Sequence, residues 1–382
     1  MALYLNYALM AFCFASINAS RLLLSLYALH LGAQPVAVGI LFATFFIFPL
    51  ILSWPLGVLS DRFGTRWLLM FGTLCGACGM LVPYFVSELR VLYLAGTMTG
   101  LAFSFYKVLL ENLVGVLSKP HERARNFSNS SVIGAGTSFV GPLIAGLAVD
   151  HFGHAIACLF VVALSLAATV LLAVWGKLLP GGTHHAAPVG NMRDTLRNPA
   201  ILRILALSCF VQVGQDFFQF FMPVYGHSLG LSASSIGAVL ACFSVAAFVV
   251  RFTLPWLIAR LGEEKLLAYA LFVAATGFML MPFCASALTL AIVSFFFGLG
   301  MGGGQPITMM LMFSRTKDGR SGETFGLRQT ANNVLRLATP TLFGFIASAF
   351  GLFSVFAINA LVLVAGGILS RRSGTLSDGT RR

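Results

Sequence analysis

The sequence contains few charged residues. Only 9% of its 382 residues are Asp, Glu, Lys or Arg, whereas 58% are hydrophobic. Soluble domains carry about 25% charged residues, so this chain cannot cover a water-facing surface, and a bilayer is expected to surround it. A spanning helix takes about 20 residues, so the chain accommodates roughly twelve spans. This leaves no room for a large soluble catalytic domain.

The seven cysteines lack the surroundings of a metal or redox site. All lie in apolar stretches, and the single CxxC pair, Cys75 and Cys78, has neither a nearby His nor a second pair to complete a site. Packing of small side chains explains them better, so we expect no metal and no cofactor. The first apolar run is too long for a cleavable signal peptide and lacks a basic leading region, so it is predicted to remain as the first span.

Long apolar windows predict an all-α polytopic membrane protein with twelve transmembrane helices in two bundles of six. The first bundle covers residues 1–176 and the second covers residues 199–370, followed by a cytoplasmic tail at 371–382. Residues 177–198 form the only long polar stretch between spans, and we interpret them as a cytoplasmic linker.

The net charge of +12 could indicate binding to nucleic acid, but the placement of the charge argues against it. Most of the 24 Lys and Arg residues fall in the loops that follow even-numbered spans and in the C-terminal tail. The positive-inside rule puts these loops and both termini in the cytoplasm. We therefore expect a lipid bilayer and no nucleic acid as partner, in a monomeric protein of the bacterial inner membrane.

An internal repeat relates the two predicted bundles. A shift of 198 residues aligns Tyr27 with Tyr225. The same shift aligns further turn, Gly and Pro positions: Gly32 with Gly230, Arg62 with Arg260, Gly64 with Gly262, Gly100 with Gly298, Pro142 with Pro340, and Gly153 with Gly351. Six spans return the chain to its starting side, so the repeats are parallel, and such repeats place a substrate path between them near the membrane midplane.

Two motifs resemble those of a transporter family. GVLSDRFGTRW (57–67), between predicted helices 2 and 3, resembles the cytoplasmic-loop signature of the major facilitator superfamily; the matching residues are Gly57, Leu59, Asp61, Arg62, Gly64 and Arg66. GTSFVGPLIAG (136–146) is similar, through Gly141 and Pro142, to the helix-5 motif of the family's proton-coupled exporters. The resemblance implies the family's twelve-helix fold and alternating access, in which two bundles rock about a central site.

Charged residues inside spans indicate function, because a charge at the membrane centre costs about 2.5–3.5 kcal/mol on insertion scales. Seven lie in the predicted spans: Arg21, Lys107, Glu111, Asp216, Arg251, Arg328 and Arg336. Five of them are cationic and two are anionic. This excess of fixed positive charge favours an anionic substrate.

Asp216 lies on predicted helix 7 within a polar stripe formed by Gln212, Gln215 and Gln219. The repeat maps Asp216 onto Asn18 and Gln219 onto Arg21 of helix 1, so Arg21 and Asp216 are expected within about one helical turn of the same depth. The resemblance implies that helices 1 and 7 face each other across the central cavity. We expect these residues to bind substrate, with Asp216 also accepting a coupling proton. A static Arg21–Asp216 salt bridge is the alternative.

Helix 11 carries a second polar stripe. Arg328, Asn332 and Arg336 are spaced four residues apart and so share one helix face. Arg336, near mid-membrane, is a candidate for binding a substrate anion together with Asn332. Arg328 lies nearer the cytoplasm and is interpreted as a gating or snorkelling residue. Tyr106 is expected to line an apolar part of the pocket.

Lys107 and Glu111 lie four residues apart at the cytoplasmic end of predicted helix 4, where a local ion pair is the ordinary interpretation. The family resemblance implies another possibility, in which this end of helix 4 and Arg123 close on Asp61 as a cytoplasmic latch. Glu111 is also a candidate for proton coupling.

The sequence therefore predicts a secondary active transporter of a small organic anion that is coupled to protons. A proton-coupled efflux pump for drugs or metabolites remains open, because the chain has the Gly-Pro motif and many aromatic residues. An intramembrane enzyme would need paired acids, a Ser/Lys dyad or a His cluster at one depth. Asp216 has no second acid at its level, so no catalytic residue is expected. A channel would need a pore ring from several subunits, which this repeat does not demand.

Overall fold

The computed structural model describes residues 1–119, 122–180, 199–315 and 321–378, and every regular element in these ranges is helical. This confirms the predicted all-α class. The first helices are α1 Ala2–His30, α2 Pro35–Phe63, α3 Thr65–Phe85, α4 Leu89–Phe105, α5 Glu111–Leu117 and α6 Arg123–Trp175. The others are α7 Pro199–Ser228, α8 Ala233–Leu261, α9 Glu263–Leu280, α10 Ala287–Met301, α11 Gly304–Arg315 and α12 Ser321–Asp378.

Ten helical stretches within these ranges are long and apolar enough to cross a membrane. Two of them, Asn129–Leu178 with 50 residues and Leu327–Arg371 with 45 residues, exceed twice the length that one crossing needs. Gly153 interrupts the first with φ 79°, and Gly351 interrupts the second with φ 80°. Counting each as two spans gives twelve segments, in agreement with the sequence.

The backbone repeats its turns at the spacing that the sequence predicts. The glycines with positive φ in the described ranges are Gly32, Gly64, Gly153, Gly230, Gly262 and Gly351. They form three pairs separated by 198 residues (230 − 32, 262 − 64 and 351 − 153). Every φ lies between 72° and 80°, a region that glycine adopts without the strain a side chain brings. The same turns are therefore built into both halves.

Close approaches between helices follow the same repeat. A Cβ atom added to Gly100 of α4 would lie 2.6 Å from the carbonyl oxygen of Phe45 on α2. A Cβ atom added to Gly298 of α10 would also lie 2.6 Å from a carbonyl oxygen, that of Phe243 on α8. Phe243 follows Phe45 by the repeat spacing, so both halves use one glycine contact to pack equivalent helices.

The chain divides into two compact units. The first is Met1–Ala187 with Gly226–Ala241, and the second is Pro188–Tyr225 with Cys242–Arg382. In the first unit α1 packs on α6, and α4 packs on both α2 and α3; in the second, α9 packs on α10 and α12. The predicted domain limits stay a prediction, and residues 181–198 of the predicted linker and 379–382 of the tail lie outside the described residues.

Asp150, near the end of the first span of α6, holds the start of α8 within the first unit. Its carboxylate accepts hydrogen bonds from the backbone N–H groups of Ala233 at 2.9 Å and Ser234 at 2.8 Å. Just beside it, a Cβ atom on Gly146 would lie 2.5 Å from the Ala233 carbonyl oxygen, and one on Gly237 would lie 2.6 Å from a carbonyl oxygen of α6. The glycines bring the two backbones into contact, and the carboxylate binds N–H groups that a helix start leaves without helical partners.

A π-helical turn, Tyr106–Leu110, joins α4 to α5. Lys107 and Glu111 form the local ion pair expected at this position, and both side chains are more than a third exposed. Such turns insert one extra residue into a helix and occur frequently at functional sites. The proposed latch and the proton-coupling role of Glu111 stay predictions.

Candidate functional site

An ion pair between the buried Asp216 and the half-buried Arg336 lies within the second unit. Asp216 on α7 is 5% exposed, and its Oδ2 atom accepts a hydrogen bond from Gln212 Nε2 at 2.6 Å. The same oxygen accepts a hydrogen bond from Arg336 Nε on α12 at 3.2 Å. A buried charge is tolerated when it is both paired and hydrogen-bonded, and Asp216 meets both conditions. Two of the predicted substrate-binding residues are therefore in direct contact.

Arg328 carries a buried guanidinium group and lies two turns before Arg336 on α12. It is 5% exposed and donates to Ser208 Oγ at 2.7 Å, to Thr308 Oγ1 at 3.1 Å and to Gln305 Oε1. Met309 Sδ lies 3.4 Å from its Nη1 atom. The interpretation of Arg328 as a snorkelling residue is therefore wrong, because its charged end turns into the protein and is held there by neutral groups. Its gating role stays a prediction.

Gln305 connects the two charged regions. Its Nε2 atom donates to Gln212 Oε1 at 3.0 Å and to Gln215 Oε1 at 3.4 Å, while its Oε1 atom accepts from Arg328. Because Gln212 donates in turn to Asp216, a continuous chain of hydrogen bonds joins Arg328 to the ion pair. We call the whole set the polar network: Ser208, Gln212, Gln215, Asp216, Gln305, Thr308, Arg328, Asn332 and Arg336.

Asn332 and Gln219 differ in their relation to this network. Asn332 is 2% exposed, and its side-chain amide lies 3.4 Å from Ser208 Oγ, so it belongs to the network. Gln219 is half-buried one turn beyond Asp216 and takes no part in the hydrogen bonds that define the network. Gln215, in addition to its contact with Gln305, donates to the Met301 carbonyl oxygen at 3.0 Å.

Three network members are missed by the sequence prediction, although signals for them exist. Ser208 precedes Gln212 and Asp216 at the same four-residue spacing, which places all three on one face of α7. Gln305 and Thr308 begin α11, directly after the Gly-rich interruption that follows α10. A glycine-interrupted span is a sequence pointer to a transporter's binding site, and the Gly-Gly-Gly run at 302–304 is such an interruption.

Arg21 in the first unit has aromatic surroundings. Its Cζ atom lies 4.9 Å from the ring centroid of Phe103, 5.2 Å from that of Phe46 and 6.0 Å from that of Phe42. These are cation–π distances. The expectation that Arg21 and Asp216 bracket a substrate stays a prediction, because the two residues belong to different units.

Other predicted residues of the first unit make packing contacts. A Cβ atom on Gly141 would lie 2.8 Å from the Cβ atom of Asn18, so this glycine allows α6 to approach α1. The carbonyl oxygen of Pro142 lies in the contact with α8 described above. Tyr106 is completely buried, and its hydroxyl donates to the Gly72 carbonyl oxygen at 3.2 Å. Contrary to the prediction, Tyr106 therefore packs against α3 and lines no open pocket.

The predicted gating motif is described only in part. The side chains of Asp61, Arg62 and Arg123, and the surroundings of Gly57, lie outside the described residues. Gly64 adopts φ 77° directly before α3, as the turn requires. Arg66 Nη2 donates to the Ala173 carbonyl oxygen at 3.3 Å, near the end of α6. Among the residues that the structure describes, no group of three or more His, Cys, Asp or Glu is placed to hold a metal ion.

Comparison with known proteins identifies the family. The model of the Major Facilitator Superfamily matches residues 3–338 and 204–373, so the chain belongs to this superfamily. The multidrug resistance protein MdtG of Salmonella choleraesuis (strain SC-B67) is 25% identical over 344 residues, which cover 88% of this chain and 84% of that protein. MdtG of Salmonella typhi is 25% identical over 343 residues, with the same coverage.

Solved transporter structures share the fold. The nucleoside transporter NupG matches with a TM-score of 0.81 at 12% identity, over 97% of this chain and 99% of that chain. The peptide transporter POT in complex with sulfate matches with a TM-score of 0.81 at 14% identity, over 98% and 94%. The protein is thus an integral membrane transporter of small molecules.

Proposed function

We propose that this transporter moves a small organic anion together with a proton, and that the polar network binds both. The observation that carries the proposal is the burial of Arg328 among neutral partners. With Arg328, Arg336 and Asp216, the network has a formal charge of +1 (two cations and one anion). An isolated charge in an apolar interior is unfavourable, so an anion entering this region gains attraction that a neutral or cationic solute does not.

The Asp216–Arg336 ion pair supplies the coupling step in this proposal. Uptake of a proton by Asp216 removes the negative charge that faces Arg336. The guanidinium group of Arg336 then becomes available for a carboxylate or phosphonate of the substrate, which arginine binds with two parallel hydrogen bonds. With one proton and one monoanion bound, the network returns to a formal charge of +1. The loaded and empty states therefore carry the same charge through the membrane, which avoids a further electrostatic cost.

Binding measurements on purified variants test the substrate class. A thermal-shift screen against carboxylates, phosphonates and cationic amphiphiles at two pH values identifies a ligand, and calorimetry then gives its affinity. We expect Arg328→Gln and Arg336→Gln each to weaken binding of an anion at least about tenfold, since hydrogen bonds to charged groups are worth about 1.5–3 kcal/mol. Arg336→Lys keeps the charge but loses the forked geometry of the guanidinium group. Its affinity for the anion should therefore lie between those of Arg336→Gln and the unmodified protein.

Arg203→Gln is the matched control. Arg203 lies on α7 and donates to the Leu369 carbonyl oxygen, away from the network. This variant removes one positive charge from the same unit and should bind the anion as the unmodified protein does. Equal affinity in the Arg328→Gln variant and the unmodified protein would contradict the proposal.

Transport in proteoliposomes tests the proton step separately. Asp216→Asn should still exchange labelled substrate across the membrane but should no longer accumulate it under an imposed pH gradient. Glu111→Gln is the comparison, because Glu111 is the other candidate for proton coupling. If accumulation survives in Asp216→Asn and is lost in Glu111→Gln, the coupling site is at Glu111.

Proton-coupled efflux of drug-like compounds is a second candidate function. It is supported by the names of the relatives, which are multidrug resistance proteins, and by the aromatic surroundings of Arg21. Inverted membrane vesicles distinguish the candidates by direction. A pump for cationic amphiphiles should be stabilised by such compounds and should tolerate Arg328→Gln, whereas an anion carrier should not.

The proposed setting is the bacterial inner membrane, with a monomer whose two termini are both cytoplasmic. The concentration of Lys and Arg in one set of loops supports this orientation. Reporter domains fused to the C-terminus, active on only one side of the membrane, test it directly. Mass measurement of the detergent-solubilised protein tests the monomer.

A further inference from the structure

A groove on the second unit is separate from the polar network. It has a volume of about 440 Å³ and lies between α8, α9 and α10, with the start of α11 at its base. Its wall is apolar except for Thr253 and Tyr269. Tyr269 and Phe296 in this wall are 56% and 55% exposed. The groove therefore opens away from the unit and not towards its interior.

The helices that form the groove determine whether its opening faces water or lipid. Each of α8, α9 and α10 belongs to a stretch that is long and apolar enough to cross a membrane. The groove thus opens to the hydrocarbon core of the membrane. Water is absent there, and the flexible acyl chains of lipids surround the protein. Its volume corresponds to about fifteen groups the size of a water molecule, at about 30 Å³ each. A methylene group is of similar size, so the groove has room for most of one acyl chain.

A cation lies close to one end of the groove. Val250, Leu254 and Leu257 line it along α8, and Arg260 follows Leu257 by about one turn. The guanidinium carbon of Arg260 is 4.2 Å from the ring centroid of the exposed Trp256. Tryptophan at the end of a spanning helix marks the membrane–water interface, where lipid phosphates are found. A positive side chain at that level attracts anionic headgroups.

We propose that this groove binds one anionic glycerophospholipid, with an acyl chain between α8 and α9 and its phosphate on Arg260. Shape, apolar lining and the interfacial Arg–Trp pair favour this occupant over a detergent-like cation, which Arg260 would repel. The proposal depends on the membrane placement of the protein, and it holds whichever solute the polar network carries.

The bound acyl chain would pack against the segment between α10 and α11, which leads into the polar network. Gly303 lines the groove, and a Cβ atom added to it would lie 3.1 Å from Leu254 Cδ1 and 3.3 Å from Val250 Cγ1. Gln305, which hydrogen-bonds to Arg328 and Gln212, is only two residues further along the chain. An acyl chain in the groove therefore supports the interruption between α10 and α11 from the lipid side, and so stabilises the position of Gln305.

The test combines native mass spectrometry with thermal unfolding in detergent. Phosphatidylglycerol and phosphatidylcholine with identical acyl chains are titrated into the delipidated protein, and inorganic phosphate is titrated separately. We expect one phosphatidylglycerol molecule to remain bound and to raise the Tm, with weaker binding of phosphatidylcholine. Inorganic phosphate should produce no shift, since it lacks the chain that the groove holds.

Two variants separate the chain from the headgroup. Ala270→Phe fills the groove and should abolish the bound lipid and its Tm shift. Arg260→Gln should retain a bound chain but lose the preference for phosphatidylglycerol, which we expect to be about fivefold for one interfacial cation. The matched controls are Ala365→Phe, at an exposed alanine of α12, and Arg90→Gln, at an exposed arginine in the first turn of α4. Both controls should bind lipid as the unmodified protein does.

Four results would overturn the proposal. The first is that Ala270→Phe retains as much lipid as the unmodified protein, and the second is that Arg260→Gln keeps the headgroup preference. The third is that a control variant loses as much lipid binding or headgroup preference as the variant that it matches. The fourth is a dimer of the unmodified protein that disappears in Ala270→Phe. The last result would mean that a second copy of the chain, and not a lipid, fills the groove. A variant that fails to fold is recognised by its unfolding curve without lipid, and Val273→Phe, in the same wall, then replaces Ala270→Phe.

Discussion

The repeat-related helices α1 and α7 hold their charged residues in opposite ways. On α1 the guanidinium of Arg21 lies against the rings of Phe46 and Phe103. On α7 the carboxylate of Asp216 accepts hydrogen bonds from Gln212 and Arg336. The turns and close helix contacts are the same in both halves, so the repeat preserves the backbone while the chemistry of the two helices has diverged.

The largest effect is expected from Asp216→Ala, which leaves the half-buried guanidinium group of Arg336 without the carboxylate that it contacts. We expect the free energy of unfolding to fall by about 3–5 kcal/mol, the usual cost of breaking a buried pair. Chemical unfolding in detergent measures it. The double variant Asp216→Leu with Arg336→Met removes both charges and should recover most of this loss, while its affinity for an anion should be as weak as that of Arg336→Gln. A loss below about 1 kcal/mol in the single variant would mean that the pair is effectively solvated.

A smaller effect should appear equally in both halves when the repeated glycine contacts are filled. Gly100→Ala and Gly298→Ala each place a Cβ atom 2.6 Å from a backbone carbonyl oxygen, which cannot move aside as a side chain can. We expect each variant to lose about 1–3 kcal/mol, the range for overpacking. Gly136→Ala is the control, because its Cβ atom meets nothing within 4 Å. Clearly unequal losses at Gly100 and Gly298 would show that the two contacts are not equivalent.

Arg21 should contribute less to stability than the Asp216–Arg336 pair does. Arg21→Gln removes the cation from the phenylalanine rings, and we expect a loss of about 0.5–2 kcal/mol. Arg21→Lys keeps the charge and should lose less. Thermal unfolding of both variants at pH 5 and pH 8 measures this, with the same loss expected at each pH because the rings do not titrate. A loss of stability as large as that of Asp216→Ala would contradict the proposed difference between the charged residues of α1 and α7.

The smallest effect is expected at the start of α8. Asp150→Asn keeps the size of the side chain but removes the charge that binds the N–H groups of Ala233 and Ser234. We expect a loss of about 0.3–1 kcal/mol in the free energy of unfolding, as for other anions at helix N-termini. The repeat places Ser348 at the equivalent position of the second half, and Ser348→Ala should change stability less. Limited proteolysis near residue 233 gives a second measure of the local effect.

Most of the fold is predictable from the sequence because lipid and glycine impose simple rules. A span needs a long apolar run, and a left-handed turn needs glycine, so the spans and the positions of Gly32, Gly64 and Gly153 with their repeats follow from the sequence. The ion pair of Lys107 and Glu111 follows from helical spacing alone. These features depend on local sequence, and tertiary packing does not alter them.

The site is less predictable because its contacts join distant segments. The partner of Asp216 is Arg336, 120 residues away, and helix periodicity places each residue on a face without stating which faces meet. Arg328 was expected to reach the membrane surface from its depth on the helix, but Ser208 and Thr308 hold it inside. Tyr106 was expected to line a pocket, whereas it begins a π turn that no composition rule identifies, and its hydroxyl bonds to the distant Gly72.

The π turn at Tyr106–Leu110 has a further consequence for the orientation of α5. A π turn closes with one residue more than an α-helical turn, whereas each residue of a regular α-helix advances the direction of side chains by about 100°. The extra residue is therefore absorbed within the turn. Deletion of Val108 should convert the turn to regular α-helix and leave the facing of the Glu111–Leu117 segment nearly unchanged. Deletion of Leu113, in the regular helix beyond the turn, should instead rotate the residues that follow it by about 100°. Both deletions shorten the chain by one residue, so their comparison asks directly whether transport requires the present facing of that segment or only its length.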